Sequence, residues 1–116
     1  YLLAALTDKN SLMIVRQQSA FALGEMACVY AVEPLFEIVK NGSSNPRFME
    51  DCMNAILAIC KQTNQQSVLH EIRQTMQNKL GVGEIKDEKL RQIGSQVVYI
   101  CNHRLKPDSD GNTGLQ

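Results

Sequence analysis

Residues 15–39, VRQQSAFALGEMACVYAVEPLFEIV, set two apolar stripes on either side of a short turn and carry no evident catalytic group. Val15, Ser19, Ala22, Leu23 and Met26 fall at i, i+4, i+7, i+8 and i+11, which is one face of an α-helix. Phe48, Cys52, Ala55, Ile56 and Ile59 repeat those offsets 33 residues later. Leu90, Gly94, Val97, Val98 and Cys101 repeat them again after a further 42. The second slot is small each time (Ser19, Cys52, Gly94), which lets a neighbouring helix approach closely. A second helix follows each of the first two: PLFEIV (34–39) and VLHEIR (68–73) align with Leu35 over Leu69 and Ile38 over Ile72, a shift of 34. Two different helices shifting by nearly the same amount define a helix-pair repeat.

The punctuation between the stripes agrees. Lys40-Asn41-Gly42 closes one helix with a C-terminal glycine, and Asn45-Pro46 opens the next as N-cap and first helical residue. Pro34 fits the first turn of its helix, where backbone N–H groups have no partner within the helix. Gly81 and Gly83 end the second pair, the longer spacing falls in NKLGVGEIKD (78–87), and Asp87 is the next N-cap. YLLAALTD (1–8) reads as the second helix of a preceding pair, with Leu2, Leu3 and Leu6 as its stripe. Helices are therefore expected at about 1–8, 14–27, 32–41, 46–62, 66–79 and 88–105, within one domain spanning 1–105. KPDSDGNTGLQ (106–116) has no apolar period and is expected to be a flexible tail. Gly24, inside a helix, costs about 1 kcal/mol in propensity relative to Ala, and is expected where the following helix crosses close by. A repeat of this length with two helices per unit predicts an all-α fold, an α-solenoid of antiparallel helix pairs.

Composition narrows the function classes. The 116-residue chain is 44% hydrophobic, enough for a modest core. Twelve basic residues balance twelve acidic ones, so there is no basic surplus to displace counterions from nucleic acid or an anionic membrane. No stretch approaches the roughly 20 apolar residues of a membrane span, and no signal-peptide pattern is visible. Cys28, Cys52, Cys60 and Cys101 form no C-x-x-C pair. Cys52 and Cys60 share a helix, where eight residues place them about 12 Å apart, too far to bridge. Buried thiols acting as small hydrophobes in a reducing, cytoplasmic compartment are expected. The chain opens without Met, which suggests a piece of a longer protein.

Among helical repeats, the Trp, Tyr and Gly-Tyr marks of the tetratricopeptide repeat and the T-P-L-H turn of the ankyrin repeat are missing. The segment 15–40 instead resembles the HEAT-like repeat (an armadillo-type superhelix) in the short form seen in phycobilisome lyases. Val15 and Arg16 match the opening Val-Arg of that pattern, Ala22, Leu23 and Gly24 its Ala-Leu-Gly, and Val32, Pro34 and Leu35 its Val-x-Pro-Leu. The match loosens over 46–77 and survives only as spacing beyond 88.

The resemblance implies that the arginine of Val-Arg reaches an acidic residue near the previous turn, here Asp8. It also brings two enzyme possibilities. Deoxyhypusine hydroxylase binds a diiron centre through His-Glu dipeptides at the start of first helices, but the matching positions hold Gln17-Gln18 and Met49-Glu50, which cannot supply that ligand set. The lone His70-Glu71 lies on a second helix and reads as a surface pair. Phycobilin lyases act on a tetrapyrrole carried by another protein; a bilin site wants aromatic partners, and the chain has three Tyr, three Phe and no Trp. Cys101-x-His103 offers two soft donors without the further ligands that a structural zinc site needs. No catalytic, cofactor or metal residue is assigned.

Interaction surfaces remain. The resemblance implies that second helices line the concave side, which nominates Glu33, Glu37 and Lys40, then His70, Arg73, Gln74 and Gln77, as a partner-binding face. Because no second helix follows the last stripe, Leu90, Val97, Val98 and Ile100 are expected to expose an apolar end patch, with Tyr1, Leu2 and Leu3 at the other end. The expected role is protein–protein binding or scaffolding without catalytic activity. The partner would be another protein, the missing repeats of a longer parent chain, or a second copy meeting it at the ends. The alternative is a phycobilin lyase-type or accessory subunit acting on a chromophore-bearing protein.

Overall fold

The computed structural model describes residues 2–42, 45–83 and 85–105. Among these residues six α-helices run in the order α1 (Leu2–Thr7), α2 (Met13–Glu25), α3 (Val32–Asn41), α4 (Pro46–Gln62), α5 (Gln66–Gly81) and α6 (Glu88–Arg104). A 3-10 turn, Val29–Ala31, leads into α3. The fold is all-α, with no strand among the described residues. The expected tail at 106–116, together with Tyr1, Ser43, Ser44 and Glu84, lies outside them.

Local chemistry sets several helix ends. The Asn45 side chain accepts from the Phe48 N–H at 3.0 Å, with Pro46 in the first turn, and Asp87 accepts from the Leu90 N–H at 3.1 Å. Gly42, at φ 81°, stops α3 in a conformation that side chains resist. Helix α2 ends two residues earlier than its apolar spacing suggests. Ala27 turns left-handed at φ 51°, while the N–H groups of Cys28 and Ala27 close back on the carbonyls of Leu23 and Gly24. This is a Schellman closure with alanine in the position usually held by glycine.

Helix α2 packs on α4, and α4 on α6, so the three first helices form a row. Each second helix rests against the next first helix: α1 on α2, α3 on α4, α5 on α6. The described chain measures 50 × 29 × 16 Å, and its radius of gyration of 14.6 Å exceeds the ~13 Å of a compact 100-residue domain. Helix α4 has neighbours on both flanks and buries eight residues, among them Phe48, Met53, Ile56, Leu57 and Ile59. A helix surrounded in this way must be apolar on more than one face.

Gly24 does sit at a close crossing, but the partner differs from the expected one. A Cβ there would lie 2.9 Å from Ala55 Cα, so α4, the next first helix of the row, makes the approach rather than α3. Long polar side chains then tie helix ends together. Arg16 donates to the Leu6 carbonyl at 2.9 Å and lays its guanidinium 4.7 Å from the centroid of the Phe48 ring. No ion pair with Asp8 forms; the Asp8 carboxylate accepts from the Asn10 N–H and the Ser11 hydroxyl. Arg91 stands at the equivalent position of the third unit and donates to Ile85 O at 3.0 Å and, at 3.5 Å, to Leu80 O in the last turn of α5. Arg104 donates to Lys61 O, Thr63 O and Asn64 Oδ1. Each cation meets carbonyls at or just past the C-terminal end of a preceding helix, where the helix dipole favours positive charge.

Candidate functional site

Helices α3 and α5 border a shallow groove of about 200 Å³. From α3 it takes Glu33, Phe36, Glu37 and Lys40, which recur at i, i+3, i+4 and i+7 on one face; from α5 it takes Glu71, Thr75 and Lys79 at i, i+4 and i+8. Phe36 and Lys79 are both buried there, and the Lys79 ammonium lies over the Phe36 ring, 5.9 Å from its centroid. Burial of the lysine stem with the charged head over an aromatic face is favourable for both parts. The Asn41 amide steadies Glu37 by donating to Oε1 at 3.3 Å. Carboxylates and ammonium groups around an apolar floor suit a mixed-charge polypeptide surface.

Three of the seven residues expected on this face, Glu33, Glu37 and Lys40, are brought together here. The other four are not. At about 100° per residue, His70, Arg73, Gln74 and Gln77 fall on the opposite side of α5 from Glu71, Thr75 and Lys79. Arg73 reaches α6, donating from Nη1 to Asn102 Oδ1 at 3.2 Å, while its Nη2 lies 3.2 Å from His70 Nδ1. Its Nε is buried without a hydrogen-bond partner. Gln74 and Gln77 are exposed. The signal for Glu71, Thr75 and Lys79 was their i, i+4, i+8 spacing, which decides nothing until α3 is known to lie beside that face.

The soft donors do not converge. Cys101 is buried with its Sγ 3.4 Å from Cys60 Sγ, whereas His103 is exposed and meets Tyr99 edge-on at 4.5 Å between ring centroids. His70 turns to Arg73, and Glu71 to the groove. Among the described residues no group of three or more His, Cys, Asp or Glu side chains is placed to hold a metal ion. The hydrogen bond with Cys101, together with burial, keeps the Cys60 thiol protonated far above its ordinary range. Burial, reinforced by the Asp51 carboxylate and partly offset by Arg16, pushes the Cys52 thiol up to about 12. Thiols held protonated in this way are poor nucleophiles.

The expected end patch on α6 also needs correction. Leu90 and Val97 are buried, and Val98 and Ile100 are half-buried against the core, because α4 and α5 cover that face. The outward residues of α6 are polar apart from Tyr99. The exposed large apolar side chains concentrate instead on and around α2: Leu12, Ile14, Val15, Phe21, Met26 and, beyond the turn, Tyr30. Beside them an open hollow of about 410 Å³ is lined by Leu2 of α1 and by Ile14, Val15, Gln18, Ser19 and Ala22 of α2. No helix among the described residues is long and apolar enough to cross a membrane. No family model, curated protein or solved structure matches this chain.

Proposed function

We propose that this chain is a binding or scaffolding module of the α-solenoid kind, built from HEAT-like helix pairs, without catalytic activity of its own. The observation that carries the reading is the row α2–α4–α6, in which α4 and α6 each turn the same five-position stripe toward the preceding first helix. Such a row holds second helices at a regular spacing, and grooves between successive second helices are how solenoids grip partners. The α3–α5 groove is the contact surface in this reading, with Glu37, Lys40 and Glu71 at its rim. The partner is another protein presenting both signs of charge around an apolar anchor. The near-neutral charge of the chain supports a protein rather than a nucleic-acid partner.

The test is retention of proteins from a lysate of the source organism on the immobilised chain, run beside a Glu37→Lys/Lys40→Glu variant. A protein held by the parent and lost by a variant with an unchanged melting curve is the expected result. Identical sets of retained proteins would remove the groove from the reading. A change in visible absorbance on incubation with a phycobilin and its carrier subunits would move the reading to the lyase class.

A further inference from the structure

The five-position stripe is covered in two units and only partly covered in one, where Ser19 and Leu23 of α2 are buried but the other three positions are not. In α4, Phe48, Ala55 and Ile59 are buried; in α6, their counterparts Leu90, Val97 and Cys101 are buried too. In α2 the corresponding Val15 is 41% exposed, Ala22 is half-buried, and Met26 is 62% exposed. The positions are the same and the chemistry is similar; what differs is the neighbour. The α4 stripe is covered by α2, which sets Gly24 against Ala55 and Arg16 over Phe48. The α6 stripe is covered by α4 together with α5: Met76 and Leu80 of α5 and Met53 of α4 stand against Gly94, and Cys60 of α4 stands against Cys101. The 410 Å³ hollow beside Leu2 lies on the stripe that lacks such a cover.

The second helices repeat the same relation. Leu2, Leu3 and Leu6 of α1 stand 33 residues before Leu35, Phe36 and Val39 of α3, the offset that separates Val15 from Phe48. The α1–α2 corner is thus the α3–α4 corner one unit earlier, without the helix that fills the latter. We infer that this corner is the docking seat of one further repeat unit. Its first helix lies along Val15, Ala22 and Met26 as α2 lies along Phe48, Ala55 and Ile59. The inference rests on the repeat reading above and deepens it by naming the occupant. That occupant is an amphipathic helix with glycine or alanine over Ala22 and a long side chain over Val15. A second copy stacked end to end would instead offer the outer face of α6. That face carries Lys89, Gln92, Ser95 and Gln96 around a single aromatic, Tyr99, and a face so largely polar does not suit an apolar seat.

The probe is the chain extended by a copy of its own residues 12–34 placed directly ahead of Leu2, which restores the 33-residue offset. The copied segment carries leucine in place of both of its methionines, the copies of Met13 and Met26, so that Met26 of the host is read separately. The extended chain is expected to melt about 5 °C or more above the parent. Host Met26 should oxidise with peroxide on the order of tenfold more slowly. Ala22→Glu in the host helix should cancel both gains while leaving the parent chain folded, since Ala22 is only half-buried there. An extended chain with parental melting and parental Met26 oxidation overturns the inference. So does a parent chain that is already a dimer by sedimentation, with Met26 protected as concentration rises, because a second copy then holds the seat. Retention through the α3–α5 groove involves none of these residues, so the two readings fail separately.

Discussion

Gly24→Ala should destabilise the fold even though it improves the helix. Alanine in a helix interior gains about 1 kcal/mol over glycine. Against this, the new Cβ would stand 2.9 Å from Ala55 Cα and 3.3 Å from both Ala55 Cβ and Ala55 O. Carbon atoms in contact settle at about 3.5–4.0 Å, so α2 and α4 would have to part by roughly 0.6 Å or more. The obstructing atoms belong largely to backbone, and no side-chain rotation relieves them. Parting the helices would also loosen the Gln62 amide, which donates to Gly24 O at 3.0 Å, and Arg16 over Phe48. Overpacking of this kind costs about 1–3 kcal/mol, which leaves a net loss centred near 1 kcal/mol. For a domain of this size that lowers Tm by about 4–8 °C. Gly24→Leu should cost more still. Gly81→Ala is the control, since a Cβ there meets nothing within 4 Å and the change should be neutral or mildly stabilising. Thermal and urea unfolding followed by far-UV circular dichroism would measure all three. A Gly24→Ala chain as stable as the parent, or shifted like Gly81→Ala, would refute the tight crossing.

Ala27→Gly should stabilise by about 1 kcal/mol, because Ala27 holds φ 51° in the Schellman closure of α2; the check is a higher urea midpoint at unchanged m-value. Arg104→Ala should lose about 1–2 kcal/mol by freeing the Lys61 and Thr63 carbonyls, and Arg104→Lys should recover only part, since an ammonium cannot reproduce the guanidinium fork. The Cys52 thiol ionises near 9.0 when unfolded and at about 12 when folded, so its contribution is complete below pH 9 and is lost as pH rises toward 12. Urea titrations above pH 9 should show a slope of about −1.4 kcal/mol per pH unit from this group, and Cys52→Ala should remove that part of the alkaline slope. An unchanged slope in the variant would mean that Cys52 is not held protonated by the fold.

The all-helical chain and many of its boundaries were legible in the residues alone, because caps and breakers act within a few residues. Asn45 and Asp87 bond to N–H groups three residues on, and Gly42 ends α3 through its own backbone freedom. The spacing of Phe48, Cys52, Ala55, Ile56 and Ile59 likewise marked a face that is wholly buried. Periodicity states the direction in which a helix is apolar, however, and not what lies there. Burial is a property of pairs of elements. Only the packing of α4 against α2 and α6 decided that Phe48 is covered while Val15, in the same slot, is not. Only the placement of α3 beside α5 chose Glu71 and Lys79 for the groove over His70 and Gln74. Arg16 was chosen by the carbonyl of Leu6 and the ring of Phe48 rather than by the nearer charge of Asp8 in sequence, since a long side chain takes the acceptors that packing brings to it. The Cys60–Cys101 contact spans 41 residues and two helices, and no local pattern could have announced it.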